Sequence, residues 1–245
     1  MSTFVKLLPP VTTDRTAQSP YLHGEPTLEV GKAAPSTSFG ALDSFADEQI
    51  RGLVRQLFAP GWPKPCRQVV FSPVDATAEV AAICNRVGEI LAEEVSAAIC
   101  VVDATRHPAR GDARASQASA CEKHFGALRD LSQQVSDNLW LMPNDVFFMG
   151  NESGPSAAWL RARLAELRLE FDFTVLHGPV AGAGNEAALL GATCDGVVLV
   201  LQANHTRRAT AQRVKENLHS ANVRLLGAVL SERTFPIPSA IYRWL

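Results

Sequence analysis

Short unbroken apolar runs alternate along the chain with stretches in which apolar residues recur every three or four positions. The first periodic stretch runs from Asp43 to Phe58, with Ser44 as a candidate N-cap, Glu48 near the first turn, and Ile50, Leu53, Val54, Leu57 and Phe58 on one face. Pro60, Gly61, Pro63 and Pro65 end it. Further helices are expected over 77–94, 122–135, 156–169, 186–192 and 206–220. Between them, strands are expected over 68–71, 98–102, 139–142, 173–176, 197–201 and 225–230. The polar stretch 106–120 reads as loop or weak helix.

Strands that are apolar at consecutive positions are covered on both faces. Their alternation with helices predicts an α/β fold: a mainly parallel sheet with helices on both faces. Ligands in such sheets bind beyond the carboxyl ends of the strands. The positions after Phe71, Val102, Leu176, Leu201 and Leu230 are therefore the informative ones. Residues 1–42 are rich in Pro, Ser, Thr and Gly and read as a disordered arm; 43–245 read as one domain with a short C-terminal tail.

Composition narrows the function. The chain has 245 residues, 47% hydrophobic and 20% charged, enough for a full core. A net charge of −2 gives no overall field toward nucleic acid or an anionic membrane. Cys66, Cys84, Cys100, Cys121 and Cys194 have no C-x-x-C spacing, so a disulfide framework or structural zinc site is not expected and a cytoplasmic setting fits. The N-terminus lacks a signal-peptide pattern, and no apolar run reaches the roughly 20 residues of a membrane span.

Several segments, in order, resemble bacterial tyrosine kinases of capsule and exopolysaccharide synthesis, a family of deviant P-loop ATPases. Val101-Val102-Asp103-Ala104-Thr105-Arg106-His107-Pro108 is similar to the family's apolar run followed by Asp-x-Asp-x-Arg-x-Pro. The segment from Phe171 to Pro179 resembles its Phe-Asp-Tyr, apolar run, Asp-Thr-Pro-Pro. Cys194-Asp195-Gly196-Val197 and Gly227-Ala228-Val229-Leu230 resemble two further strand segments, and Arg233 to Pro238 resembles tails of exopolysaccharide-associated members. The resemblance covers roughly 44–245. It implies a P-loop NTPase-like, MinD/ParA-type three-layer sandwich.

The residues that would handle nucleotide depart from the family's pattern. A P-loop needs glycines that let backbone N–H groups wrap phosphate, a Lys, and a Ser or Thr for Mg²⁺. The matching stretch runs from Ser72 to Glu79 through Asp75 and Thr77, and it has neither Gly nor Lys. A carboxylate about 4 Å from a phosphate costs on the order of 1 kcal/mol in water and ~4 at intermediate dielectric. Asp75 and Glu79 therefore oppose an anion, and an ordinary strand–helix turn with Asp75 near the helix start is the simpler reading. Asp103 keeps the first acid after the second strand and is the residual catalytic candidate; its simpler role is to cap a loop. Thr105 stands for the second acid, His177 for the Mg²⁺-organising acid, and Ser231 for the Asn that supports adenine. A neutral imidazole is a poor ligand for Mg²⁺.

In the family, a helix near the start carries Glu-x-x-Arg-x-x-Arg and joins subunits. Glu48 and Arg51 match, Val54 takes the third position, and Arg55 lies one step along. A homo-oligomer contact through these residues is one reading; a surface i, i+3 pair is the other. Tyr21 and Tyr242 are the only tyrosines, whereas such kinases carry a Tyr-rich tail. Gly178, Gly182 and Gly184 follow a strand, so weak anion binding at the next helix start is one reading and a plain loop the other. No metal site is expected, since His107, His124, His177 and His205 lack close ligand spacing.

The expectation is a non-catalytic or regulatory relative of these kinases, with no cofactor. It would dock to a membrane polysaccharide co-polymerase or export protein, or to a kinase paralogue, and would be held at the membrane only by that partner. The alternative is an active ATP- and Mg-dependent tyrosine autokinase or ATPase with an atypical site.

Overall fold

A computed structural model describes residues 4–6, 39–58, 66–76, 78, 80–105, 127–151 and 156–231. The elements follow in chain order: β1 (Phe4–Lys6), α1 (Phe39–Phe58), β2 (Gln68–Pro73), α2 (Val80–Glu94), β3 (Ile99–Asp103), α3 (Leu128–Leu131), β4 (Gln133–Ser136) and β5 (Leu139–Met142). Then come α4 (Asn144–Phe147), α5 (Ala157–Glu170), β6 (Phe173–His177), α6 (Glu186–Thr193), β7 (Gly196–Gln202), α7 (Arg208–Ser220) and β8 (Leu225–Ser231). The strands form one sheet in the order β1-β8-β7-β2-β6-β3-β5-β4, parallel except for β4 against β5. This is the α/β sandwich that the alternating pattern predicts.

Alternation along each strand divides the core in two. Val69, Phe71, Ile99, Val101, Val175 and Val198 face α1 and α2. Val70, Cys100, Val102, Leu176, Val197 and Leu199 face α5, α6 and α7. The helices meet the sheet along apolar stripes. Val80, Ile83, Val87, Ile90 and Leu91 of α2 are all essentially inaccessible to solvent. A Cβ on Gly88 would stand 2.4 Å from Val101 Cγ2, so glycine allows α2 to lie tight on β3. Arg86 grips Asp47 with two bonds of 2.8 and 2.6 Å, tying α1 to α2 and holding the Asp47 carboxyl below its ordinary value.

The amino ends of the central strands are locked by a polar network. Asp195, just before β7, accepts from the backbone N–H groups of Arg67 and Gln68, both at 2.8 Å. Arg168 of α5 donates to Asp195 at 3.0 Å and to the Gln68 side chain at 2.7 Å, and Gln68 donates to Leu164 O at 2.9 Å. Burial pushes the Asp195 carboxyl up, but the two N–H groups and Arg168 outweigh it and hold it below 3.8. Across the sheet, Asp172 accepts from Ala98 N at 3.1 Å.

Four expectations need correction. Helix α1 begins at Phe39, so Ser44 lies within it rather than capping it, and the boundary at 42 falls inside a helix. Residues 4–6 add an edge strand parallel to β8; the rest of the proposed arm up to residue 38 lies outside the described residues. The helix expected over 122–135 is a single turn at 128–131, and Gln133–Ser136 instead pairs antiparallel with β5. Helix α2 starts at Val80, not at residue 77, which leaves Asp75 outside it. Elsewhere boundaries move by a residue or two; Ser156, read as helical, is the N-cap of α5, its Oγ accepting from Trp159 N at 3.2 Å.

Candidate functional site

The sheet register brings part of the expected site together. Phe71 of β2, His177 of β6 and Asp103 of β3 lie side by side at the carboxyl ends of three adjacent strands. His177 Nδ1 is 3.6 Å from Asp103 Oδ1. The same Oδ1 accepts from Thr105 N at 3.0 Å and from Thr105 Oγ1 at 2.6 Å, closing a turn at the end of β3. Ala104 N donates to His177 O at 2.9 Å, and the Asn144 side chain donates to Thr105 O, so α4 also holds this corner. Thr105 therefore serves Asp103 as a donor, where the resemblance implies a second acid.

The connection from β2 to α2 occupies the P-loop position. Several of its polar groups are engaged with the protein. Val74 N donates to Val200 O at 2.9 Å, and the fully buried Ser72 hydroxyl donates to Pro179 O. Pro73 has no N–H to give, and its carbonyl accepts from Ala181 N at 2.8 Å. Val74 is itself buried. One Asp75 oxygen, Oδ2, is buried with no hydrogen-bond partner. Thr77 lies outside the described residues.

The glycine-containing loop after β6 closes over this connection. Gly178 N donates to Phe71 O at 2.8 Å, and a Cβ at Gly178 would stand 2.6 Å from Val70 Cγ1. Ala183 N is turned back to Val180 O at 3.2 Å. The amides of Gly178, Ala181 and Ala183 are thus committed to carbonyls of β2 or of the loop itself.

The remaining expected residues lie elsewhere. Ser231 ends β8, with β7, β2 and β6 between it and β3. At ~4.8 Å per strand that places it roughly 19 Å from the Asp103 strand. It is buried, and its hydroxyl donates to Leu201 O at 3.2 Å. On α1, Arg51 reaches Glu93 at 2.9 Å and Glu94 at 3.2 Å, and Arg55 also reaches Glu94 at 3.1 Å. Both arginines thus pair with the C-terminal turn of α2. Glu48 is exposed on the same helix, and Val54, at the third motif position, is buried in the core. Among the described residues no group of three or more His, Cys, Asp or Glu could hold a metal ion, and no helix is long and apolar enough to cross a membrane.

Sequence reading did not pair His177 with Asp103 or Thr105 with Asp103. The first pairing depends on β3 lying next to β6, which spacing along the chain does not reveal. The second had a local signal, an acid two residues before a threonine at a strand end.

This sheet order and its helices are the fold of bacterial tyrosine-kinase domains. The kinase domain of the Escherichia coli tyrosine kinase ETK superposes with a TM-score of 0.58 at 14% identity, over 79% of each chain. The chain itself is a relative of the bacterial tyrosine kinases: it is 24% identical over 135 residues to tyrosine-protein kinase CpsD of Streptococcus agalactiae, 49% of this chain and 59% of that protein. Tyrosine-protein kinase YwqD of Bacillus subtilis is 30% identical over 76 residues, 31% of this chain and 32% of that protein. The chain thus spans well under two thirds of the curated relatives it matches. No protein-family model matches it.

Proposed function

We propose that this chain is a non-catalytic, regulatory relative of the exopolysaccharide tyrosine kinases, acting by protein–protein contact in polysaccharide synthesis or export. The observation that carries the reading is the β2–α2 connection. A phosphate-binding loop presents unspent N–H groups and a cation to an anion. Here Val74 N is bonded to Val200 O, Pro73 has no donor, and the stretch from Ser72 to Glu79 has no lysine. The Asp75 carboxylate would add negative charge beside a nucleotide's phosphates rather than neutralise them. Where two carboxylates would organise Mg²⁺, Thr105 brings no charge and spends its hydroxyl proton on Asp103, and the His177 imidazole suits a hard cation poorly. These residues do not fit Mg-ATP.

A scaffold without that chemistry retains its surfaces. The partner class that fits is a membrane polysaccharide co-polymerase or export protein, or a kinase paralogue, which would hold the chain at the inner face of the membrane. The test is to incubate the full chain with Mg-ATP, alone and with the cytoplasmic part of such a partner, and follow phosphotyrosine and phosphate release. The proposal expects neither product from the chain itself, together with co-purification of the partner. Autophosphorylation of Tyr21 or Tyr242 would overturn it and leave an atypical autokinase.

A further inference from the structure

A cavity of about 360 Å³ opens between α2 and the carboxyl ends of β3, β5 and β6, to one side of the β2–α2 connection. Strand alternation explains its floor: Asp103 and His177 project from the same face as Val101, toward α2. Its walls are chiefly apolar, with Val101, Leu131, Leu141 and Met142 among them. Four polar side chains join these walls: Asn85, Gln133, Asp103 and His177. A chiefly apolar cleft of a few hundred Å³ with a few converging polar groups is the usual form of a small-molecule site.

Charge selects the ligand. Among the described lining residues Asp103 is the one carboxylate, and none is Lys or Arg. Its Oδ1 is occupied by the two Thr105 donors, and among the described residues none donates to Oδ2. The Asp103 side chain is 38% exposed, so this oxygen is within reach of a ligand in the cleft. A phosphate or carboxylate would meet repulsion from Asp103 here. A positive group would meet a carboxylate and the amide oxygens of Asn85 and Gln133, while an apolar body would replace water along the walls.

We propose that this cavity binds a small organic cation: a primary ammonium on an apolar or aromatic body, with the ammonium on Asp103. The proposal rests on the regulatory reading, because a chain that used Asp103 to organise Mg²⁺ would have no carboxylate left for the amine. Occupancy would then give the protein a small-molecule input distinct from nucleotide.

The test uses the full chain and 2-phenylethylamine as probe, with 3-phenylpropionate as the anion of similar shape, followed by ligand-observed NMR and calorimetry. Saturable amine binding is expected, with the anion bound at least about tenfold more weakly. Asp103→Asn should weaken the amine about tenfold while the variant keeps the wild-type melting profile. Ala81→Phe, at an exposed position on the cavity wall, should block the amine without changing charge. No saturation by the amine, equal binding of the anion, or full binding by both variants would overturn the proposal. A parallel Mg-ATP arm separates the two readings. Displacement of the amine by Mg-ATP would count against the regulatory reading, whereas failure of the amine alone would remove only this site.

Discussion

The two ends of the sheet have been treated differently. At the amino ends, Asp195, Gln68 and Arg168 form a network in which backbone and side-chain partners meet, from Arg67 N to Leu164 O. At the carboxyl ends, Asp75 keeps a buried oxygen without a partner, Asp103 is shared between a threonine and a histidine, and a cleft stays open beside them. The amino end is what a sheet needs to stay assembled. The carboxyl end is where this fold places ligand chemistry. The amino-end network is closed, whereas at the carboxyl end Ser72 Oγ and Val74 N are bonded to carbonyls of the chain itself.

That contrast makes graded predictions. Asp195→Asn should have the largest effect on stability, about 2–3 kcal/mol in urea unfolding, because it weakens a charge-assisted contact and opposes a donor amide to backbone N–H groups. Its pH dependence follows from the depressed carboxyl. The folded value lies below the unfolded one, so the stabilisation is present above 3.8 and is lost as pH falls through the folded value. The wild type should lose stability in that acid range, and the variant should lose less. Gly178→Ala should come next, at about 1–3 kcal/mol, since its methyl would meet the buried Val70 side chain at 2.6 Å. An unchanged midpoint for this variant would mean that the loop does not press on β2. Ser72→Ala should cost least, about 1 kcal/mol, by leaving Pro179 O without its donor. If its stability were unchanged, the closure of the P-loop position would be looser than the geometry implies.

Most of the sheet was legible in the sequence because its strands are buried on both faces. Runs such as Val197 to Leu201 have no polar position to blur them. The edges were not legible. Gln133–Ser136 is exposed along its length, so its strand form comes from pairing with β5 and leaves no apolar alternation. The first turns of α1 were missed because Ser44, a good capping residue, sits inside the helix. Helix α4 is one turn, too short for any period to show. At the site, the identities of Asp103, Thr105 and His177 could be read directly. Their juxtaposition could not, since β6 sits between β2 and β3 in the sheet, although a long stretch of chain separates it from both. Nor did sequence reveal that Arg51 and Arg55 would turn to Glu93 and Glu94, because two helices must pack before those charges meet.

On the function proposed for this chain, the β2–α2 connection does not receive a nucleotide. Isothermal titration of the full chain with ATP and Mg²⁺ tests it most directly. The account predicts no saturable heat across millimolar ATP, in the wild type and in Ser72→Ala alike. Saturable binding at micromolar ATP would contradict it.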